Sequence, residues 1–392
     1  MLTWEYPPKQ VGGIASHVVD LGCELCRQGM DVTVVTCGDS GLPEYELDGD
    51  IKVYRVIPYP IHTYHITQWV YNLNLAMLEK CIVLIRKNGI FDIIHAHDWM
   101  VAFAARLLKS VYTIPLVATI HATEYGRNNG LYDDNQRYLS DIEWWLTYES
   151  WKVICCSYYM ENHLRSFFQL PEDKVHVIYN GVDPARFISP TPNRDFRAQY
   201  ATDSEKIVFF IGRLVHEKGI ITLIEAIPIV LQQLHHVKFI IAGKGPDSDF
   251  LKQRAFQLGI ASQVYFTGYI DDKTRNQLYQ ISDIAVFPSF YEPFGIVAIE
   301  GMAACVPIIV SDIGGLREIV NHDVDGLKFQ VGNATELAYH MIDLLNNPEK
   351  RRQFSAKAFQ KIQQQFGWKL ICAKTRAVYE SAIKHRNSKG MI

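Results

Sequence analysis

The sequence predicts an α/β protein that contains two doubly wound parallel sheets. Short apolar runs, of the length expected for buried strands, alternate with helical patterns along the whole chain. This scheme occurs twice, and a proline-rich segment separates the two halves. A chain of 392 residues, 48% of them hydrophobic and 21% charged, favours two globular domains over one.

Five strands are expected in the first half. The candidates are Asp31 to Cys37, Ile51 to Val56, Asp92 to His97, Leu116 to His121 and Val153 to Cys156. The clearest helix between them runs from Ile14 to Gln28, because apolar residues recur along it at helical spacing and Gly29 can serve as its C-cap.

The second half repeats the pattern. Its strand candidates are Lys206 to Ile211, Val237 to Ala242, Val264 to Phe266, Ile284 to Phe287 and Pro307 to Val310. Leu170 to Asn193, which contains four prolines and a glycine, is interpreted as the hinge, with a boundary near Asn180. Apolar residues at helical spacing predict a last helix within Phe366 to Lys384.

Charge and cysteine content limit the classes of function. The formal net charge of −3 provides no basic field for DNA or RNA. The eight cysteines lie mostly in apolar runs, which is typical of reduced, buried thiols and of a cytoplasmic protein. The C-x2-C pair of Cys23 and Cys26 lies in a helical pattern and is interpreted as core packing.

The sequence shows neither a signal peptide nor an apolar stretch of ~18 residues, so export and membrane spanning are not expected. Peripheral contact with a membrane stays open. One aromatic set could form either an acceptor groove or ordinary core: Trp69, Tyr71, Trp144, Trp145 and Tyr148.

The segment from Tyr291 to Val320 carries the strongest functional signal. A helix that begins near Phe294 would direct the first backbone N–H groups, of Phe294, Gly295 and Ile296, outward as an anion site. Glu292 precedes that helix and Glu300 lies about two turns along it. The alternative is that both are ordinary solvated acids.

This pattern resembles the E-x7-E motif of the retaining glycosyltransferases of family 4, which include glycogen-synthase-like and sucrose-synthase-like enzymes. The resemblance covers essentially the whole chain and implies the GT-B fold, two Rossmann-like domains that face each other across a cleft. It assigns 1–179 and 367–392 to an acceptor-side domain with a returning last helix, and 180–366 to a nucleotide-sugar-binding domain. It also implies that Glu292 orients the hydroxyls of the donor sugar and that Glu300 holds the ribose.

Further motifs match the diphosphate site of this family. Arg213 and Lys218 stand in a G-R-x5-K-G run, where two cations can neutralise a leaving diphosphate. Gly12 and Gly13 precede the first helix and would let the backbone approach the same diphosphate. The alternative for each of the two cations is a solvated surface charge, and the alternative for the two glycines is a flexible turn.

Histidines in the first half match the expected catalytic and acceptor positions. The resemblance places His121 against the reacting sugar, and places His97, Asp98, Glu124 and Tyr125 on the acceptor side. His95 and His97 share one face of a strand and could form a metal pair. A third ligand at metal spacing is absent, so zinc is not expected.

By resemblance, the nucleotide pocket is bordered by Gly243 and by the backbone at Tyr269 and Ile270, although tight turns are the simpler interpretation. Three Asp-x-Asp sequences lie in turn-like settings and are interpreted as turns. The expectation is therefore that no metal or other cofactor is required, because fixed cations stabilise the diphosphate instead.

The resemblance implies an enzyme that moves a hexose from a nucleoside diphosphate sugar to a glycan or lipid-linked acceptor in polysaccharide or glycoconjugate biosynthesis. UDP-glucose is favoured by family frequency only, and a monomer or weak homo-oligomer is expected. Two alternatives stay open: a sugar-nucleotide epimerase or phosphorolytic enzyme on the same fold, and a non-catalytic sugar-nucleotide-binding protein.

Two positions depart from the family pattern. Met1 comes several residues later than in relatives, which suggests a truncated first strand or a misassigned start. Cys305 stands where the family usually has glycine. If its backbone needs a positive φ, the cysteine costs stability.

Overall fold

A computed structural model of the protein describes residues 1–187 and 194–388. The chain divides into two compact units. The first comprises Met1–Gly181 with Trp368–Ile392, and the second comprises Val182–Gly367. Pro190 and Pro192 of the predicted hinge lie outside the described residues.

The first unit contains a mainly parallel sheet. Its strands are β1 (Thr33–Cys37), β2 (Tyr45–Asp48), β3 (Ile51–Val56), β4 (Ile94–His97), β5 (Leu116–Ile120), β6 (Lys152–Cys155) and β7 (Val175–Val177). Two ladders have the orders β2-β3-β1 and β4-β5-β6-β7, and β2 alone is antiparallel. Leu2 bridges Val35 and Ala96 in parallel, so the N-terminal residues join the two ladders.

Helices follow most strands of this unit. They are α1 (Gly13–Arg27), α2 (Ile66–Asn88), α3 (Ala102–Tyr112), α4 (Glu124–Asn128), α5 (Asp134–Glu149) and α6 (Tyr158–Phe167). The buried face of α1 includes Val18, Leu21 and Leu25, which pack in one apolar cluster with Val34 of β1 and Val53 of β3.

The second unit is built on a six-stranded parallel sheet. Its strands are β8 (Lys206–Ile211), β9 (Val237–Ala242), β10 (Val264–Gly268), β11 (Ile284–Phe287), β12 (Ile308–Ser311) and β13 (Leu327–Phe329). The order is β10-β9-β8-β11-β12-β13. The chain therefore winds outward from β8 in both directions, and the direction switches between β8 and β11. Ligands of such sheets bind at the carboxyl ends of the strands that flank this switch.

Eight helices complete the second unit within the described residues. They are α7 (Arg194–Ala198), α8 (Ile220–Gln233), α9 (Ser248–Gln257), α10 (Asp272–Ile281), α11 (Ile296–Ala303), α12 (Gly314–Ile319), α13 (Ala334–Asn346) and α14 (Pro348–Gln365). The last helix, α15 (Trp368–Ser388), belongs to the first unit, where Ile371 and Cys372 join the apolar cluster beneath α1.

Four predicted strands match the structure to the residue: β3, β8, β9 and β11. Others begin or end one or two residues away, and the helix expected near Phe294 begins at Ile296 after an N-cap at Gly295 with φ 114°. The sequence-based prediction missed β2, β7 and β13. These strands are only three or four residues long and lie at sheet edges, where the apolar signal is weakest.

Cys305 ends α11 in the left-handed conformation, with φ 58°. The N–H of Cys305 donates to the carbonyl of Met302, and the N–H of Val306 donates to the carbonyl of Gly301. This pair of bonds is the Schellman ending, in which glycine is the usual left-handed residue. Cys305 therefore has the positive φ at which a cysteine costs stability, and its side chain is exposed.

None of the described helices combines the length and the apolar character that crossing a membrane requires.

Candidate functional site

The switch point of the second sheet brings together two loops. One follows β8 and contains a 3₁₀ turn, His216–Lys218, and the other follows β11. The backbone N–H groups of Phe290 and Tyr291 both donate to the carbonyl of Glu217, at 2.9 and 3.1 Å. These bonds fix the β8 loop against the β11 loop before any ligand arrives.

Two glycines make this close approach possible. Gly219 has φ 61°, and a Cβ there would lie 2.0 Å from the carbonyl oxygen of Pro288. Gly243, which follows β9, has φ 134°, and a Cβ there would lie 1.8 Å from the carbonyl oxygen of Gly212. Because neither position tolerates a side chain, the backbones of the three loops pack directly on one another.

Lys218 and Glu292 meet at the centre of this arrangement. Lys218 Nζ lies 2.7 Å from Glu292 Oε2, and the side chains are 21% and 9% exposed. The hydroxyl of Ser289 also donates to Glu292 Oε2, at 3.2 Å, and the hydroxyl of Ser311 donates to the carbonyl of Ser289. The carboxylate is thus held in one place by a cation and a buried hydroxyl.

Sequence reasoning named Lys218 and Glu292 separately but did not predict their ion pair. It also missed Ser289 and Ser311. The available signal was that both serines stand at or just after the end of a buried strand, where ligand-facing side chains of parallel sheets lie.

Arg213, the other predicted cation, lies nearer to solvent. Its guanidinium is 3.2 Å from Glu217 and its side chain is 47% exposed. Such a pair contributes ~0–1 kcal/mol, so an incoming anion can readily take over the guanidinium.

The N-terminal end of α11 lies directly after Glu292 in the chain. Gly295 is the N-cap, and the predicted amide residues Phe294 and Ile296 flank it. The N–H of Gly315, in α12, donates to the carbonyl of Glu292 and fixes the approach to the helix. The first amides of an α-helix have no partner within the helix, so this end attracts negative charge.

Glu300 is buried rather than solvated. Its carboxylate lies 3.3 Å from the guanidinium of Arg275, and the nearby Tyr279 hydroxyl donates to the carbonyl of Val297 at 3.0 Å. Burial raises the pKa of Tyr279 well above its ordinary value, with the charge of Glu300 adding to the effect. Sequence reasoning missed Arg275 and Tyr279, which approach Glu300 from α10.

The predicted nucleotide-pocket residues follow neighbouring strands. The N–H of Gly243 donates to the carbonyl of Gly268 at 2.8 Å, which ties the ends of β9 and β10 together. Tyr269, just beyond β10, leaves 63% of its surface exposed, and Ile270 is half-buried. An exposed aromatic ring at this edge of the sheet is available to contact a base.

In the first unit, the glycine loop before α1 already contacts a carboxyl group of the chain itself. Glu5, which is 1% exposed, accepts hydrogen bonds from the N–H groups of Val11 and Gly12 at 2.6 and 3.1 Å. Burial raises the pKa of Glu5 despite these bonds. The loop of Gly12 and Gly13 was expected to bind a diphosphate. Sequence reasoning did not foresee that amides of this loop donate hydrogen bonds to a carboxyl group of the same chain.

His121, Asp98 and His97 form a connected group at the carboxyl ends of β4 and β5. The N–H of His121 donates to Asp98 Oδ1 at 2.7 Å, and His97 Nδ1 lies 3.2 Å from His121 Nε2. Burial raises the pKa of Asp98 to about 6 and lowers that of His121 to about 4. The imidazole of His121 is therefore neutral at pH 7.

Glu124 and Tyr125 begin α4, next to this group in the chain. The N–H of Glu124 donates to the buried carboxyl of Glu143 at 2.9 Å, and the Glu124 carboxylate pairs with Arg127 at 3.3 Å. The ring of Tyr125 packs on Phe167 with centroids 4.3 Å apart. Sequence reasoning missed Glu143, whose pKa burial raises to about 8.

A third histidine joins His97 and His121. His17 of α1 places its ring centroid 5.6 Å from that of His97 and 5.0 Å from that of His121. Sequence reasoning considered only His95 and His97 as a metal pair and did not foresee that His17 and His121 both approach His97. His95 itself uses both ring nitrogens, towards Tyr379 and Thr119.

Family comparisons match both units. The model described as "Glycosyltransferase Family 4" matches residues 11–186, and the model described as "Glycosyl transferases group 1" matches residues 192–361. An uncharacterized glycosyltransferase of Methanocaldococcus jannaschii is 40% identical over 98% of each chain. A glycogen synthase of Mycobacterium tuberculosis is 32% identical, over 97% of this chain and 94% of its own.

Solved structures show the same fold. Sucrose-phosphate synthase from Thermosynechococcus elongatus superposes with a TM-score of 0.84 at 23% identity, over 98% of both chains. The Anabaena protein HepE in complex with UDP-glucose gives a TM-score of 0.79 at 22% identity, over 97% of this chain and 98% of its own. With the two Rossmann-like units and both family matches, this chain belongs to the GT-B glycosyltransferases of family 4.

Proposed function

We propose that this glycosyltransferase is a retaining hexosyltransferase that moves glucose from UDP-glucose to a hydroxyl of a glycan or lipid-linked acceptor. The ion pair of Lys218 and Glu292 at the switch point of the second sheet carries the proposal. This pair places a cation beside a fixed carboxylate. The cation suits the charged diphosphate of a donor, and the carboxylate suits the hydroxyls of its neutral sugar.

The second unit would bind the donor. Lys218, Arg213 and the first amides of α11 supply positive charge for the diphosphate. Glu292 accepts hydrogen bonds from the sugar hydroxyls, and Glu300 does so from the ribose. Tyr269 and Ile270 lie beside the base. UDP-glucose is chosen because the similar HepE structure was solved with that compound.

The reaction needs no protein base in this scheme. The acceptor oxygen attacks the anomeric carbon from the face of the leaving group, and the bond from that carbon to the β-phosphate oxygen breaks. UDP leaves with the electron pair and takes the acceptor proton on a phosphate oxygen. Lys218 and Arg213 stabilise the charge that develops on UDP.

Residues of the first unit would serve the hexose and the acceptor. We assign His121 to a hydroxyl of the donor hexose, because its neutral imidazole can donate or accept a hydrogen bond at pH 7. His97, Asp98, Glu124 and Tyr125 are assigned to the acceptor side. The eight cysteines lie mostly in apolar runs, which is typical of proteins in a reducing compartment, and we place the enzyme in the cytoplasm.

A ligand panel followed by product analysis tests the proposal. UDP, ADP and GDP and their glucose derivatives are compared by thermal shift, since ligands that bind only the folded state raise the Tm. We expect UDP-glucose to give the largest shift and the product to keep the α configuration. An isomerised sugar nucleotide formed without acceptor would identify an epimerase. Phosphate-dependent release of glucose 1-phosphate would identify a phosphorolytic enzyme, and binding without turnover would identify a non-catalytic protein.

A further inference from the structure

Three histidines of the first unit converge at one edge of its sheet. His17 comes from α1, His97 is the last residue of β4, and His121 follows β5. One ring nitrogen from each lies within 4.8 Å of the others. Because 24 to 104 residues separate them in the chain, only the fold brings them together.

The spacing of the nitrogens suits a metal ion. Two imidazole nitrogens bound tetrahedrally to Zn²⁺ at about 2.0–2.1 Å lie ~3.3 Å apart. His97 Nδ1 and His121 Nε2 are already 3.2 Å apart. The widest separation in the group would have to shrink by about 1.5 Å, which small side-chain rotations can provide.

One ring nitrogen of the cluster makes no hydrogen bond of good geometry within the described part of the chain. His17 Nδ1 is buried and makes no hydrogen bond of good geometry among the described residues, although the side chain of Asn180 lies close to this ring. A buried polar atom without a partner destabilises the fold, and a bound ion would give this nitrogen a partner.

We propose that His17, His97 and His121 form a three-histidine site for Zn²⁺, and that zinc bound there inhibits sugar transfer. Three protein ligands leave one tetrahedral position open to water. The inhibition rests on the proposed function, because a nitrogen of His121 that binds zinc is lost to the donor hexose. The binding of zinc does not depend on that function.

Binding is measured first, on the full-length protein stripped of metal with a chelator. Zn²⁺ is titrated in competition with a chromogenic chelator, and Co²⁺ serves as a spectroscopic substitute. We expect one equivalent of Zn²⁺ to bind and Co²⁺ to develop the intense visible bands of a tetrahedral site.

Two variants and a control locate the site. His17→Gln and His97→Gln should each weaken zinc binding at least ~100-fold, because changing groups that merely orient ligands already costs about 10–100-fold. His176→Gln removes a half-buried histidine of β7 outside the cluster and should bind zinc as wild type does. Thermal unfolding of each metal-free variant shows whether it is folded.

Activity provides a separate readout. Zn²⁺ at one equivalent above the protein should reduce transfer by the wild type at least tenfold, and chelator should restore it. The site would be overturned if His17→Gln and His97→Gln bound zinc as tightly as the wild type. It would also be overturned if the Co²⁺ spectrum remained that of the aquo ion. Absence of transfer by the metal-free wild type would instead count against the proposed function.

Discussion

Removal of the Lys218 side chain is the perturbation that bears most directly on the donor site. Lys218→Ala leaves the Glu292 carboxylate, 9% exposed, with the Ser289 hydroxyl but without its cation at 2.7 Å. Breaking a fully buried pair costs about 3–5 kcal/mol. Since the lysine is 21% exposed, water can replace part of its interaction with the carboxylate. We therefore expect a loss of ~1–3 kcal/mol in the free energy of unfolding.

The loss of activity is expected in addition to this destabilisation, because it is measured on the folded protein. Lys218→Ala removes a charge that faces the diphosphate as it leaves, and Glu292→Ala removes the fixed acceptor for the sugar hydroxyls. Loss of one preorganised partner of this kind costs ~10²-fold in turnover, about 2.7 kcal/mol. The assay is the release of UDP from UDP-glucose with acceptor, at temperatures where each variant is fully folded.

The second unit offers a matched control. Lys361 pairs with Asp325 at 3.0 Å, with side chains 10% and 4% exposed, and it also donates to the carbonyl of Ile319. Lys361→Ala should therefore lower the Tm at least as much as Lys218→Ala while turnover per folded molecule stays at the wild-type level. Near-normal transfer by both Lys218→Ala and Glu292→Ala, or equal losses in Lys361→Ala, would refute the reasoning.

Two further predictions concern stability. Cys305→Gly should raise the Tm by ~1–3 °C, because the relief of about 1–2 kcal/mol of left-handed strain outweighs the about 0.5–1 kcal/mol by which the entropy of glycine favours the unfolded state; calorimetry checks this, and an equal gain in Cys305→Ala would contradict it. Glu143 has a folded pKa of about 8 against an ordinary 4.5, so the stability that its neutral form confers is complete below pH 4.5 and is lost as the pH rises to about 8. At pH values above 8, Glu143→Gln should therefore have a higher Tm than the wild type, whereas at pH 4.5 it should not. A difference in Tm from the wild type that is the same at every pH would contradict this.

The fold was largely predictable because its signals are local. Buried parallel strands are continuous apolar runs, so β8, β9 and β11 can be read directly from the sequence. The edge strands β7 and β13 bury only part of their three residues and leave a weak pattern.

The candidate site was predictable only where a motif concentrates its residues in one stretch. Lys218 and Glu292 each lie in such a stretch, but their ion pair joins residues 74 positions apart. The contact of Arg275 with Glu300 and the approach of His17 to His121 depend on which helix packs beside which strand end. Glu5 shows the same limit, since its buried carboxylate is satisfied by amides that only the folded loop presents.

The central claim is that the chain's own cations and helix amides hold the donor diphosphate. A crystal structure of the full-length protein with UDP-glucose, grown in the presence of chelator, tests it most directly. The account predicts that the diphosphate lies within hydrogen-bonding distance of Lys218 Nζ and of the first amides of α11. A diphosphate bound away from both, or one that binds only when a divalent ion bridges it to carboxylates, would contradict the account.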